Sequence, residues 1–211
     1  MQEGVGLMPN VCVYPDKDCF IDKYRATNIF DSAELYVDLL YVGGGKTENS
    51  RTLIHFTIPA EVNSAEVYKA YLCLYQGVSS AYSPVPLDVV HITQGGWLET
   101  EATWNQYKAL TNWATAGGDY DDVAPEPSYK NISIVNPWNG FLEIDITDMV
   151  TYAITNHSRS LDLLLKLSDE NIDFSQQLTT KSKDQPGLGI SDHKRPYLNI
   201  IRPPFGLPME V

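Results

Sequence analysis

Arg51-Thr52-Leu53-Ile54-His55-Phe56-Thr57-Ile58-Pro59 decides the fold class. Ile54, Phe56 and Ile58 share one side of an extended chain, while His55 and Thr57 fall on the other. Pro59 has no amide hydrogen to give a ladder, so it closes the strand. The same period of two recurs outward from this stretch. Toward the N-terminus it covers residues 18–22 and 36–42, the latter running into Gly43-Gly44-Gly45. Toward the C-terminus, Ala70, Leu72 and Leu74 alternate with Tyr71, Cys73 and Tyr75. Further strands are expected at 87–93, with Val90 and Ile92 inward, at 142–146, at 161–167 with four leucines on one face, at 172–178 and at 197–201. Short alternating runs between turn residues are the pattern of an all-β sandwich of two antiparallel sheets.

The period changes once. From Thr147 the apolar positions are Met149, Val150, Ala153 and Ile154, a helical stripe. Thr147 suits the N-cap and Asp148 the first turn, where free amides favour an oxygen acceptor and negative charge. Asn156 suits the stop, since Asn tolerates left-handed backbone. One short helix is therefore expected among the strands. The segment 111–135, rich in Gly, Pro and Asp, reads as one large ordered loop.

The chain carries 15 Lys+Arg against 27 Asp+Glu, a formal charge of −12 on 211 residues. No basic run interrupts that balance, so a nucleic-acid backbone or an anionic membrane is disfavoured as a partner. No stretch approaches the eighteen or so apolar residues of a membrane-spanning helix. The first ten residues lack the basic start and apolar stretch of a secretory signal. A chain of this size buries roughly 70% of its unfolded surface, enough for one substantial core. The expected layout is an N-terminal extension over 1–17, one sandwich domain over 18–202 and a Pro-rich tail over 203–211. Cys12, Cys19 and Cys73 are odd in number, lack paired metal-ligand spacing and lie in apolar runs, which favours buried free thiols.

Candidate chemistry is sparse. His55, His91, His157 and His193 are widely separated and form no metal-binding motif in sequence; His55 and His91, mid-strand, are expected to be hydrogen-bonded structural residues. No nucleophile elbow, phosphate loop or dinucleotide fingerprint occurs, and no pair among the acids stands out as a glycosidase couple. The expectation is a protein without catalytic residues or a cofactor. Asp119, Asp121 and Asp122 in a Gly-rich loop have a spacing compatible with calcium, although simple solvated acids fit better. Trp138 lies among the turn residues Asn136, Pro137, Asn139 and Gly140. With Tyr120, Tyr129 and Trp113 it would make an aromatic platform on which a sugar ring stacks; equally, it would pack under its own loop or at a subunit contact.

The order of several motifs resembles the DNRLRE-type modules, β-sandwiches found beside polysaccharide-degrading enzymes such as alginate lyases and disaggregatase and grouped with carbohydrate-binding modules. The residues that carry the resemblance are Leu40, Val42 and Gly43, Arg51 to Phe56, Ala70 to Tyr75, Trp97-Leu98-Glu99, and Ala102-Thr103-Trp104-Asn105. Trp113, Gly117-Gly118-Asp119, Ile144 to Val150 and Arg195-Pro196-Tyr197-Leu198 continue it. The resemblance implies a jelly-roll-like fold and a non-catalytic role, with Arg51, Trp97, Trp104 and Thr147 as motif residues. It spans about residues 18–202.

Two functions follow as expectations. One is a structural or adhesive component of a large assembly, such as a head-decoration or tail accessory protein of a phage virion, with neighbouring subunits as partners and a homo-oligomeric state. The other is a polysaccharide-binding module of a secreted carbohydrate-active enzyme or adhesin. The first places the protein on a virion or an extracellular surface. The −12 charge argues against an anionic glycan in either case.

Overall fold

The computed structural model describes residues 10–42, 45–76, 84–123, 125–134, 140–172, 174–184 and 194–203. Trp138, His193 and tail residues 204–211 lie outside them. Among the described residues the strands, in chain order, are β1 (Val11–Val13), β2 (Lys17–Asp22), β3 (Glu34–Val42), β4 (Gly45–Thr57), β5 (Lys69–Gln76), β6 (Val85–Ile92) and β7 (Gln106–Lys108). They continue with β8 (Thr111–Asn112), β9 (Tyr120–Asp121), β10 (Tyr129–Ile134) and β11 (Gly140–Asp145), then the helix α1 (Thr147–Asn156), and β12 (Ser160–Leu167), β13 (Gln176–Lys181) and β14 (Tyr197–Ile201).

All pairings are antiparallel. A continuous path runs β1-β14-β5-β13-β3-β4-β12-β6-β10, with β11 on the free edge of β5, β2 on β4 and β9 on β6. The 13-residue β4 is the pivot: Ser50 pairs with Asp38 of β3 and with Asp22 of β2, so the strand changes neighbours along its length. The path folds back on itself into a sandwich. Its main core joins Ala70, Leu72 and Leu74 of β5 and Leu198 and Ile200 of β14 to Ile54 and Phe56 of β4 and Leu161, Leu163, Leu165 and Leu167 of β12. The fold is all-β and sandwich-like with one short helix, as the alternation requires.

A second apolar cluster lies on the outer face of the β2-β4-β12-β6 half. Cys19, Ile21, Leu53, Val90, Ile92 and Leu164 project there and are covered by Trp97, Ala102, Trp104 and Trp113 from the 93–119 connection. β6 is thus buried on both sides, Leu87 and Val89 facing the main core and Val90 and Ile92 the second cluster.

Several local expectations are corrected. The segment 111–135 contains the strand β10, which pairs with β6 across a bulge between Tyr129 and Ile132. Residues 11–13, placed above in the extension, pair with β14 as an edge strand. Cys12 is exposed rather than buried, while Cys19 and Cys73 are buried free thiols. Thr147 is not the helix cap: the Asp145 carboxylate accepts the Thr147 amide at 3.1 Å and its hydroxyl at 2.6 Å, and that hydroxyl in turn accepts the Ala70 amide. Asp145 therefore satisfies an amide that a cap residue would take. The helix ends at Asn156, as expected, but the left-handed residues that follow are Ser158 and Arg159. Met149, Val150 and Ala153 form its buried stripe.

Candidate functional site

Three of the four motif residues, Arg51, Trp97 and Trp104, belong to the second cluster and its cover, while Thr147 begins α1 against Ala70. Arg51, on β4, emerges beneath the connection and grips Glu170 with two parallel bonds of 2.8 and 2.7 Å, while its third nitrogen donates to the Gly117 carbonyl at 2.7 Å. The guanidinium plane stacks on Trp104 at 4.7 Å and lies 5.7 Å from the ring centre of Tyr120. This satisfies a charge that is nearly buried, since a planar fork matches both carboxylate and carbonyl acceptors. Gly117 is required there: its φ is +95°, and a β-carbon would sit 2.7 Å from Trp104 Cζ2. Trp97 is fully buried and donates its indole N–H to Asp162 at 2.7 Å. The same carboxylate bonds His55 Nδ1 at 2.9 Å and accepts Ser160 Oγ at 3.0 Å. Burial pushes the Asp162 carboxyl up, but the bonds to His55, Ser160 and Trp97 outweigh it and hold the group below its usual value.

The four aromatic residues expected to form a platform are not gathered by the described structure. Trp113 is 4% exposed, packs against Tyr107 and donates its indole N–H to the Thr103 carbonyl. Tyr120 lies beside it against the second cluster, whereas Tyr129 packs against the main core. Trp138 is outside the described residues. The three acids are likewise engaged separately. Asp119 accepts the amides of Ala114 and Thr115, Asp121 accepts that of Val123, and Asp122 pairs with Lys130 at 2.5 Å. Their carboxylates shape the loop and do not converge on a common point.

The opposite outer face, on β1-β14-β5-β11, carries what the sequence had shown only in fragments. Tyr14, just beyond β1, lies 6.3 Å from Tyr197 of β14. Tyr197 meets Phe141 of β11 edge-on at 5.4 Å, and Phe141 meets Tyr75 of β5 edge-on at 5.3 Å. Phe141 and Tyr197 approach each other across β5, whose Cys73 is fully buried; burial pushes its thiol up to about 11 and keeps it protonated. Burial and the bond to Cys73 raise the Tyr197 hydroxyl as well. Two of the four rings are open to solvent, Tyr14 at 53% and Phe141 at 37% exposure, while Tyr75 and Tyr197 are half-buried. Polar groups border the row: the Lys194 ammonium lies 5.2 Å from the Tyr75 ring centre, Glu143 is exposed, and Lys69 pairs with Asp145 at 2.7 Å. A band of rings with a polar margin on a flat sheet offers stacking surface and hydrogen-bonding groups together. The alternations Tyr71/Cys73/Tyr75 and Phe141/Glu143/Asp145 were visible along the chain, but their adjacency comes from the register Phe141↔Tyr75.

A model of carbohydrate-binding module family 96 matches residues 9–192. The chain belongs to that family. The match covers the sandwich from β1 through β13, and so includes the Arg51–Trp104 stack and three of the four rings of the exposed row. Tyr197 of β14 falls beyond it. A carbohydrate-binding module is non-catalytic in itself, and the family 96 match agrees with the all-β resemblance drawn from the motifs. A comparison with curated proteins finds no match. Within the described residues of this family 96 module, no helix is long and apolar enough to cross a membrane.

Proposed function

We propose that this family 96 module binds a neutral polysaccharide along the face of Tyr14, Tyr197, Phe141 and Tyr75. The exposed aromatic row carries this reading, because a pyranose presents C–H groups to a ring face and a row of rings spaces such contacts along a chain. The charges near the row are balanced, Lys69 and Lys194 against Asp145 and Glu143, and the whole chain is at −12, so a polyanion gains no attraction. Affinity electrophoresis and calorimetry against neutral glucans, galactans and mannans beside alginate would test it. Phe141→Ala is expected to weaken binding about 3- to 10-fold, the worth of one aromatic contact. Trp138→Ala, measured beside it, separates this face from a platform built on Trp138. Equal affinity of wild type and Phe141→Ala for every glycan would overturn the proposal.

A narrower setting is a structural or adhesive component of a large particle, such as a phage virion, in which the same open rings contact neighbouring subunits. The solvent exposure of Tyr14 and Phe141 favours it, since large apolar side chains grouped on a surface mark contact sites. Light scattering at micromolar concentration should then give a homo-oligomer that Tyr14→Ala and Phe141→Ala dissociate; a monomer would rule this setting out.

A further inference from the structure

Among the described residues, one group of ligand atoms is left mostly without hydrogen-bond partners. His91 of β6, Glu126 of the 125–128 segment and His157, one residue beyond α1, bring three ligand atoms within 4.8 Å of one another. His91 Nδ1 lies 3.6 Å from Glu126 Oε2, and His157 Nε2 lies 3.4 Å from Glu126 Oε1. Neither contact makes a hydrogen bond. Both ring nitrogens of His91, Glu126 Oε2 and His157 Nε2 are buried without a hydrogen-bond partner, and His91 as a whole is 5% exposed. Buried polar atoms cost free energy unless something satisfies them, so the unbonded atoms that His91, Glu126 and His157 bring together, one from each residue, call for a ligand.

We propose that His91, Glu126 and His157 form a binding site for a divalent transition-metal ion of the Zn2+ type, with a fourth position for water on the more exposed side of His157. Donors about 2.1 Å from a tetrahedral ion stand about 3.4 Å apart, close to the 3.6 and 3.4 Å that separate His91 and His157 from the two oxygens of the Glu126 carboxylate. Two imidazoles and a carboxylate suit this ion class better than calcium or magnesium, which take oxygen donors. The supporting groups are also present: Tyr152 donates its hydroxyl to Glu126 Oε1 at 3.1 Å and so fixes the carboxylate. The ion would tie β6, the 125–128 segment and the end of α1 together where the helix leaves the sandwich. The other acidic convergence, Asp18, Glu99 and Asp184, holds its own cation: Lys183 Nζ lies 3.1 Å from Glu99 and 2.5 Å from Asp184, and Ser182 and the Lys183 amide donate to Asp18. It needs no ion.

The test uses the full chain, stripped with a chelator, loaded with Zn2+ and dialysed, with the metal counted by mass spectrometry and the melting temperature followed. One Zn2+ per chain and a higher melting temperature are expected, with Ca2+ and Mg2+ giving neither. Co2+ in its place should give visible absorption of a low-symmetry N/O site. His91→Leu and Glu126→Gln should weaken Zn2+ binding at least tenfold, while Cys12→Ser keeps it, which separates the site from the exposed thiol. If His91→Leu does not fold, His157→Asn at the more exposed corner replaces it. A wild-type stoichiometry equal to that of these variants, or loss of binding in Cys12→Ser, would overturn the site.

Discussion

His55 and His91 occupy comparable places and have opposite surroundings. Each lies within a long strand beside β12: His55 pairs in register with Asp162, and His91 with Leu163. Because successive residues of β12 point to opposite faces, one histidine meets a carboxylate on the outer face and the other meets leucine at the edge of the main core. His55 therefore enters a closed network with Asp162, Trp97 and Ser160, while among the described residues His91 faces Glu126 and His157 at distances that make no hydrogen bond. One step in register separates a structural histidine from one that is free to bind. The closed network holds the connection that covers the second cluster, and the open one holds nothing until a ligand arrives.

The largest way to break the closed side is Trp97→Ala, which removes a fully buried ring and its N–H donor. It should cost roughly 3–5 kcal/mol in urea unfolding. A loss under about 1 kcal/mol would mean that the connection is held without Trp97. A matched pair sharpens the contrast at the histidines themselves. His55→Leu deprives buried Asp162 of a partner and should destabilise by about 2 kcal/mol, whereas His91→Leu, in chelated protein, removes unsatisfied nitrogens and should be neutral or mildly stabilising. Equal losses at the two sites would show that the difference in partners has no energetic consequence. The smallest effect is one of pH. The folded pKa of Asp162 lies below its unfolded value, so the carboxylate contributes stability above about pH 4 and loses it as pH falls through the folded value. The stability gap between wild type and Asp162→Asn, roughly 1–2 kcal/mol near neutrality, should therefore narrow in acid; a gap that stays constant down to pH 3 would contradict the pairing.

Legibility along the chain followed the regularity of the local pattern. Residues 51–58, 142–146, 161–167 and 197–201 alternate cleanly, and each is a strand within two residues of the expected bounds, apart from β4, which starts earlier at Gly45. The stripe of Met149, Val150 and Ala153 marked the helix correctly because its period is local. β10 escaped because its bulge and the left-handed Asn131, φ 55°, break the alternation on which a strand is read. The strand expected at 172–178 begins only at Gln176, since a single apolar pair does not define a period. The helix start misled for another reason: Thr147 has the composition of a cap, but Asp145, two residues earlier, takes its amide first.

The two sites differ in the same way. Tyr71 and Tyr75 of β5 were legible as the face opposite Ala70, Leu72 and Leu74, but nothing local says that β5 lies between β11 and β14. His91, Glu126 and His157 come from a strand, a turn segment and a helix end, and no spacing rule joins them.

Alternation, charge and turn chemistry act between near neighbours, and these the sequence determined alone: a β-rich, acidic chain with one helix at 147–156 and no catalytic signature. Strand order, register and the crossing of loops over sheet faces depend on burying the most apolar surface in all segments at once. Only that global packing decided that four rings form one row with Tyr14 and Phe141 exposed, and that two histidines and a glutamate meet at the end of the core with most of their ligand atoms unbonded.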